Sequence, residues 1–371
     1  MDNNIDNDKN VYEKKVNANI EPEIKVTNKR MIFFNFALIL VIFIGLFIYM
    51  LNVDGLSNIL QLLNSVDYKW VLAGFGSLII MWICDTFCLH IPLKKIYPNQ
   101  TFLNSLKVTM IGQLFNNITP FCSGGQPMQA YELTQTNKKA SDSFSILAMK
   151  FIIAQIALIF FTLLVVIFQF DFFLNLFKDY VWIAISGFVI NIIAIIVTIL
   201  IGIKPRIITF IVNPIINFLG KIKILRKSDE KIEKLNNGII NFNNQFKKMN
   251  TQKLVVFKVF IFSILQSFAY YSITYMVYRA FGNSGINFWQ IIPAQAFLLL
   301  IMTFVPTPGS GVGAEGGFLL LFSSIFEKGT INMSILFWRL YTFYLPIIIG
   351  ALFLIPTKNK QFKNNKTDSL N

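Results

Sequence analysis

The sequence predicts an all-α polytopic membrane protein, with about six full transmembrane helices and two re-entrant broken hairpins inserted from opposite faces. Three observations carry this. Of the 371 residues, 54% are hydrophobic and only 14% charged, too little charge to cover a soluble domain of that length. Several apolar runs reach the ~20 residues that a helix needs to cross ~30 Å of hydrocarbon. Lys and Arg fall in alternate loops, as they do when basic residues stay on the cytoplasmic side.

The first 30 residues are polar and rich in Asn, Asp, Glu and Lys. They predict a disordered cytoplasmic tail with no cleavable signal, followed by Met31–Leu51 as an uncleaved first span. Lys25, Lys29 and Arg30 keep its start inside, and the loop Asn52–Asp67, without Lys or Arg, lies outside. The second span, Trp70–Ile91, returns to the inside at Lys94 and Lys95.

Thr101–Leu133 lies between Lys95 and Lys138, both inside, so it must enter and leave by one face. The third span is Ile146–Phe168, with the acidic stretch Asp171–Asp179 outside, and the fourth is Val181–Ile203. Lys204–Lys258 holds twelve Lys/Arg against three acids and lies inside. Within it, Ile222, Leu225, Ile232, Leu235, Ile239, Phe242 and Phe246 recur at helical spacing. An amphipathic helix against the anionic inner leaflet fits that pattern, and so does a solvated connector. Leu254–Phe281 is the fifth span. Phe288–Phe326 then enters and leaves by the outer face. Ile331–Ile355 is the sixth span, and the lysines at 358, 360, 363 and 366 end the chain inside. The organisation is therefore a tail over 1–30, a transporter-like membrane domain over 31–355 with a basic cytoplasmic loop at 204–253, and a tail over 356–371.

The two hairpins carry the functional signal. The first contains Asn116-Asn117-Ile118-Thr119-Pro120-Phe121-Cys122-Ser123-Gly124-Gly125-Gln126-Pro127-Met128-Gln129, and the second Pro306-Thr307-Pro308-Gly309-Ser310-Gly311-Val312-Gly313-Ala314-Glu315-Gly316-Gly317. Proline removes a donor and glycine favours non-helical turns. Backbone broken in this way survives at membrane depth only where protein or water surrounds it. Matched interruptions entering from opposite faces indicate an inverted repeat, with substrate held near the midplane between them. Free N–H groups at half-helix N-termini suit an anionic group such as phosphate, and the segment after Gly313 offers one. The plainer alternative, glycines that only permit close helix packing, fits scattered small residues better than two dense clusters.

Ionisable residues at membrane depth cost ~2.5–3.5 kcal/mol on insertion scales and mark candidate sites. Glu315 lies inside the second break and Arg339 about two turns into the last span, so a pair between them offsets both costs. A lipid phosphate on Arg339, with Glu315 taking a cationic headgroup or a proton, is the other option. Candidate substrate-binding residues are Asn117, Pro120, Gly124, Gly125, Gln126, Gln129, Pro306, Pro308, Gly309, Gly311, Gly313, Glu315 and Arg339. Asp85 is a weaker candidate, and Glu132, Lys150 and Arg279 read as interfacial. Cys84 and Cys88 stand one turn apart, but zinc wants four ligands and His90 is the sole histidine. No metal, nucleotide or other cofactor motif is present, so direct ATP drive is not expected. The net charge of +14 belongs to cytoplasmic loops rather than to a nucleic-acid face.

On these residues the chain resembles the lysylphosphatidylglycerol synthase transmembrane-region family. Thr119-Pro120-Phe121 with Ser123 through Gln129 is similar to one signature. Pro306 through Gly311 with Ala314-Glu315-Gly316 is similar to a second. Trp338-Arg339, Thr342-Phe343-Tyr344 and Pro346 are similar to its last span. Ser310 and Val312 are mild departures. The likeness covers roughly residues 30–355. It implies the membrane half of the multiple peptide resistance factors, which carries an aminoacylated lipid to the outer leaflet of the plasma membrane and so repels cationic peptides. A separate soluble domain in those proteins moves lysine from lysyl-tRNA to phosphatidylglycerol. The largest soluble stretch here, about 50 residues, is too short for such a domain.

The expectation is thus a phospholipid transporter or flippase in the plasma membrane, with both termini cytoplasmic, acting on (lysyl-)phosphatidylglycerol or another lipid-linked anion. The alternatives are a phosphatidylglycerol lysyltransferase, as the family name implies, or the membrane partner of a separate lipid aminoacyltransferase. The basic loop offers a dock for such a synthase, although a positive-inside loop explains the same charge. The resemblance also admits a homodimer.

Overall fold

The computed structural model describes residues 64–171 and 228–354, apart from 304–306, 308 and 328, together with isolated positions between 44 and 200. All regular elements among them are helices. The predicted spans Met31–Leu51 and Val181–Ile203 lie outside the continuously described residues, as do Pro306 and Pro308.

Helices α1 (Tyr68–Ile96), α4 (Ala140–Phe168) and α6 (Lys253–Ala280), and the composite helix Ile331–Leu352, are each long and apolar enough to cross a membrane. Between α1 and α4 lie α2 (Phe102–Ile118) and α3 (Gly125–Gln135), and before α6 lies α5 (Ser228–Asn250). Between α6 and the composite helix lie α7 (Phe288–Thr303) and α8 (Gly311–Phe322). The composite helix consists of α9 (Ile331–Arg339), a π-helical turn at Leu340–Tyr344 and α10 (Leu345–Leu352). The wide turn closes with Leu345 N–H on the Leu340 carbonyl, and Pro346 follows it in the first turn of α10. Proline has no N–H to continue the ordinary ladder, and single π turns recur at functional sites.

The pairing of α1 with α6 forms the spine. Asp67 caps α1 by accepting from Lys69 N–H, while its own N–H donates to the Ala280 carbonyl at the far end of α6. Further along, Trp70 meets Tyr275 edge-on, Phe87 stacks on Phe262, and Cys88 sits against Val259 and Ser263. The order is reversed, so the two helices are antiparallel. The spine has one end at Asp67 and Ala280 and another at Ile96 and Lys253.

Each hairpin is tied at one end of this spine. The first leaves and rejoins the bundle at Tyr97, whose hydroxyl donates to Asp142 at 2.7 Å and accepts from Lys139 N–H at 3.0 Å. The second is tied at the opposite end. Asn283 donates to the Tyr278 carbonyl and accepts from Glu327 N–H, and Tyr278 packs edge-on against Phe326. The hairpins therefore enter from opposite ends, as an inverted repeat requires, and the helix lengths echo one another: α1 has 29 residues and α6 has 28, α2 has 17 and α7 has 16, α3 has 11 and α8 has 12.

Several clusters fill the interior, and two of them position the hairpins. The larger joins α1, α6, α7, α8 and α9 around Phe318, Phe322 and Trp338. A smaller one seats α10 on α2. Gly350 makes that approach possible, because a Cβ there would lie 2.6 Å from the Met110 carbonyl oxygen. Helix α5 is docked rather than a solvated connector over its C-terminal half. Ile239, Asn243, Phe246 and Met249 are buried, and Phe246 and Met249 pack against Met149, Ile152, Val255 and Val259. Burying such a stripe is what an amphipathic helix gains from a protein neighbour.

Candidate functional site

The hairpin tips meet near the middle of the bundle. Cys122, at the first tip, lies close enough to Ser310 at the second for their side chains to interact, and within electrostatic range of Arg339. Cys122 is solvent-exposed. Phe121, Ser123, Gln126 and Pro127 beside it are also exposed. Tyr270 of α6 and Tyr344 of the π turn also lie within electrostatic range of Arg339.

The first tip is built on side-chain caps. Phe121 and Cys122 take positive φ, 55° and 51°, a region that non-glycine residues rarely adopt and that clusters at functional sites. Thr119 Oγ1 accepts from Gly124 N–H at 2.8 Å, and Asn116 Oδ1 accepts from Gly125 N–H at 3.0 Å. These bonds use the donors at the start of α3, so the first half-helix does not offer those two N–H groups to a ligand. Pro120 closes the turn by accepting from Ser123 N–H and Oγ. Asn117 bonds back to the Gln113 carbonyl, Gln129 is buried against Gly112, and Gln126 is open at the crevice.

The second tip is held by Arg339, of which only 2% remains exposed. Nε donates to Glu315 Oε1 at 2.9 Å, Nη1 to the Gly309 carbonyl at 3.1 Å and Nη2 to the Gly311 carbonyl at 2.9 Å. The pairing expected from the cost of burying two charges is present. The two carbonyl contacts are an addition that residue identities do not encode. The planar guanidinium fork suits this three-acceptor arrangement as an ammonium would not. Phe343, one turn after Arg339, lies under the guanidinium with its ring centroid 5.1 Å away. The same ring abuts Gly309, which takes φ +56°. Ser310 follows at φ +51°, so two successive left-handed residues reverse the chain into α8. Gly313 is buried in the first turn of α8, and Glu315 is partly open.

Other charged candidates are placed as follows. Glu132 of α3 pairs with Lys107 of α2, bracing the first hairpin. Arg279 stacks over Trp70 at 4.9 Å, at the end of the spine, as an interfacial residue does. Lys150 is partly buried and paired with Asp85 at 2.6 Å, a partner that its reading as an interfacial residue did not include. The sequence signal available for it was an isolated lysine ten residues into an apolar helix, with an isolated aspartate at similar depth on a neighbour. Cys84 and Cys88 are free and buried, and no group of three or more possible metal ligands occurs among the described residues.

No curated protein matches the sequence. The Lysylphosphatidylglycerol synthase TM region family matches residues 35–350, nearly the whole chain. The chain belongs to that family and is a membrane protein related to lysylphosphatidylglycerol synthesis.

Proposed function

We propose that this member of the lysylphosphatidylglycerol synthase transmembrane-region family moves a phospholipid between leaflets, with phosphatidylglycerol or its lysyl ester as the leading substrate. The observation that supports the reading most directly is the meeting of two oppositely inserted, broken hairpins at a polar centre halfway through the bundle. A headgroup crossing the bilayer needs polar partners at the depth where lipid tails supply none. The exposed side chains of Ser123 and Gln126, the partly open Glu315 and the Cys122–Ser310 contact offer them. Asn117, Pro120, Gly124, Gly125, Gln129, Gly309, Gly311 and Gly313 shape the two tips around that path, and Arg339 keeps the second tip folded.

The positive-inside rule puts the Tyr97 end, with Lys94, Lys95, Lys138 and Lys139, in the cytoplasm and the Ala280 end outside. On that assignment the first hairpin opens to the cytoplasm and the second to the exterior of a plasma membrane. Lipid made by a separate aminoacyltransferase would reach the first hairpin from the leaflet where it is made.

Purified protein in liposomes with fluorescent phospholipids of differing headgroup, read with an impermeant quencher, tests the reading. Exchange of phosphatidylglycerol by the unmodified protein, reduced at least tenfold by Glu315→Gln, is the expected result. Folded protein that exchanges no headgroup overturns it.

A further inference from the structure

Away from the tips, the described residues hold a second charged cluster largely enclosed between helices. Asp85 of α1 accepts from Lys150 Nζ of α4 on Oδ1 at 2.6 Å. It also accepts from Gln113 Nε2 of α2 on Oδ2 at 2.9 Å. The Lys150 and Asp85 side chains keep 12% and 6% of their surface. Lys150 stands ten residues after Ala140, the start of α4, or ~15 Å at 1.5 Å per residue. The 29 residues of α4 run ~43 Å at that rise, longer than the ~30 Å hydrocarbon core, so Lys150 lies in the half of the helix nearer the first hairpin. Arg339 stands eight residues into the helix that follows the other hairpin. Each repeat thus carries one cation paired with a carboxylate on the helix after its hairpin, Arg339 buried and Lys150 partly so.

The two cations are held differently. Arg339 spends three N–H groups on a carboxylate and two backbone carbonyls, and releasing it would undo the second tip. Among the described residues Lys150 has one acceptor, Asp85, and Gln113 also holds that acceptor. The ammonium is a compact charge with three rotatable donors on a flexible stem. A phosphate oxygen offers it the same kind of charge-assisted bond as the carboxylate, and Gln113 keeps a hold on Asp85 when Lys150 turns away. Among the described residues, two buried polar atoms on the same helices have no hydrogen-bond partner: Trp82 Nε1, one turn before Asp85 in sequence, and Thr109 Oγ1, one turn before Gln113. Unpartnered buried donors are uncommon and call for a ligand or water oxygen.

We propose that Lys150 is the anion-accepting residue of the transport route, a second site for the monoanionic phosphodiester of a lipid headgroup, with Asp85 as the counter-ion that the phosphate displaces. The proposal rests on the transport reading and supplies the exchangeable cation that the locked Arg339 does not.

The test uses the purified full chain in detergent micelles. It is titrated with dioleoylphosphatidylglycerol, with zwitterionic phosphatidylcholine, or with soluble glycerol phosphate, and is read by native mass spectrometry and thermal unfolding. Asp85→Asn leaves the partly buried lysine unpaired, so it should melt below the unmodified protein. Phosphatidylglycerol should restore the lost degrees and bind at least threefold more tightly than to the unmodified protein. The double variant Asp85→Asn/Lys150→Gln leaves no lone charge there and should fold, but should bind phosphatidylglycerol at least tenfold more weakly. Competition by glycerol phosphate alone would place a soluble organophosphate at Lys150 and overturn the lipid as its ligand. A double variant that binds phosphatidylglycerol like the unmodified protein would make the pair a structural tie and overturn the proposal. So would an unmodified protein that binds neither anion. Leaflet exchange on the same preparations separates the two readings: Lys150-dependent binding without exchange sinks transport and leaves this site standing.

Discussion

At Gly309 the backbone turns left-handed against an aromatic ring, and a single methyl group would break the turn. A Cβ there would overlap the Phe343 ring and force a β-carbon into φ +56°. Strain and overpacking each cost ~1–3 kcal/mol. Gly309→Ala is therefore expected to destabilise the protein by ~3 kcal/mol or more, measured by thermal or denaturant unfolding in micelles. Gly309→Ala/Phe343→Ala should lose less than the two single changes added together, because the ring that the methyl group meets is gone. Arg339→Ala strands Glu315 and two buried carbonyls. It should cost ~3–5 kcal/mol, the range for breaking a buried ion pair by removing one partner. Glu315→Gln should cost less in the same assay, since its amide oxygen still accepts from Nε. The Glu315–Arg339 pair was legible because two charges in apolar segments must offset each other. The carbonyl clasp was not, because backbone acceptors leave no mark in residue identity. The Lys150–Asp85 pair was not legible, because a lysine stem long enough to reach water is equally long enough to reach an aspartate on a neighbouring helix.

Among the elements, the first hairpin depends on its base as much as on its tip. Tyr97 joins the end of α1 to the start of α4, and Asp142, only 4% exposed, has little else to replace it beyond a 3.5 Å contact from Ser141 Oγ. Tyr97→Phe should cost ~1–2 kcal/mol and speed amide exchange across residues 97–105 and 136–143, with exchange at the second hairpin unchanged. Burial and the bond to Asp142 push the Tyr97 phenol up to about 12 from an ordinary 10.0. A raised folded-state value means that the latch contributes fully below pH 10 and is lost as pH rises through about 12. Exchange at these amides should therefore carry no latch-dependent step between pH 6 and 9 beyond the intrinsic rise, in contrast to a latch built on histidine. The broken hairpins were legible from their proline and glycine clusters, and helices α1, α4 and α6 from apolar length. The docking of α5 was not, since its stripe fits lipid and protein equally well. Nor was the π turn before Pro346, because a proline two residues further on marks a disturbed ladder without saying how it is repaired.

For the whole molecule, the opposed insertion of the hairpins followed from charge alone. Lysines on both flanks of the first leave it one face to use, and the parity of spans leaves the second the other. The meeting of the tips did not follow, because Cys122 and Ser310 are small and common and nothing in their spacing pairs them. That meeting is the centre of the transport reading, and a reversible tether tests it most directly. Ser310→Cys sets a second thiol beside Cys122, while Cys84 and Cys88 remain buried. The variant, reconstituted with fluorescent phosphatidylglycerol, would be assayed for leaflet exchange when reduced, when oxidised, and when reduced again. The account predicts exchange in the reduced protein, at least a tenfold loss when the tips are joined, and recovery with reductant. Undiminished exchange with the tips demonstrably joined would contradict it, because lipid would then be crossing somewhere other than between them.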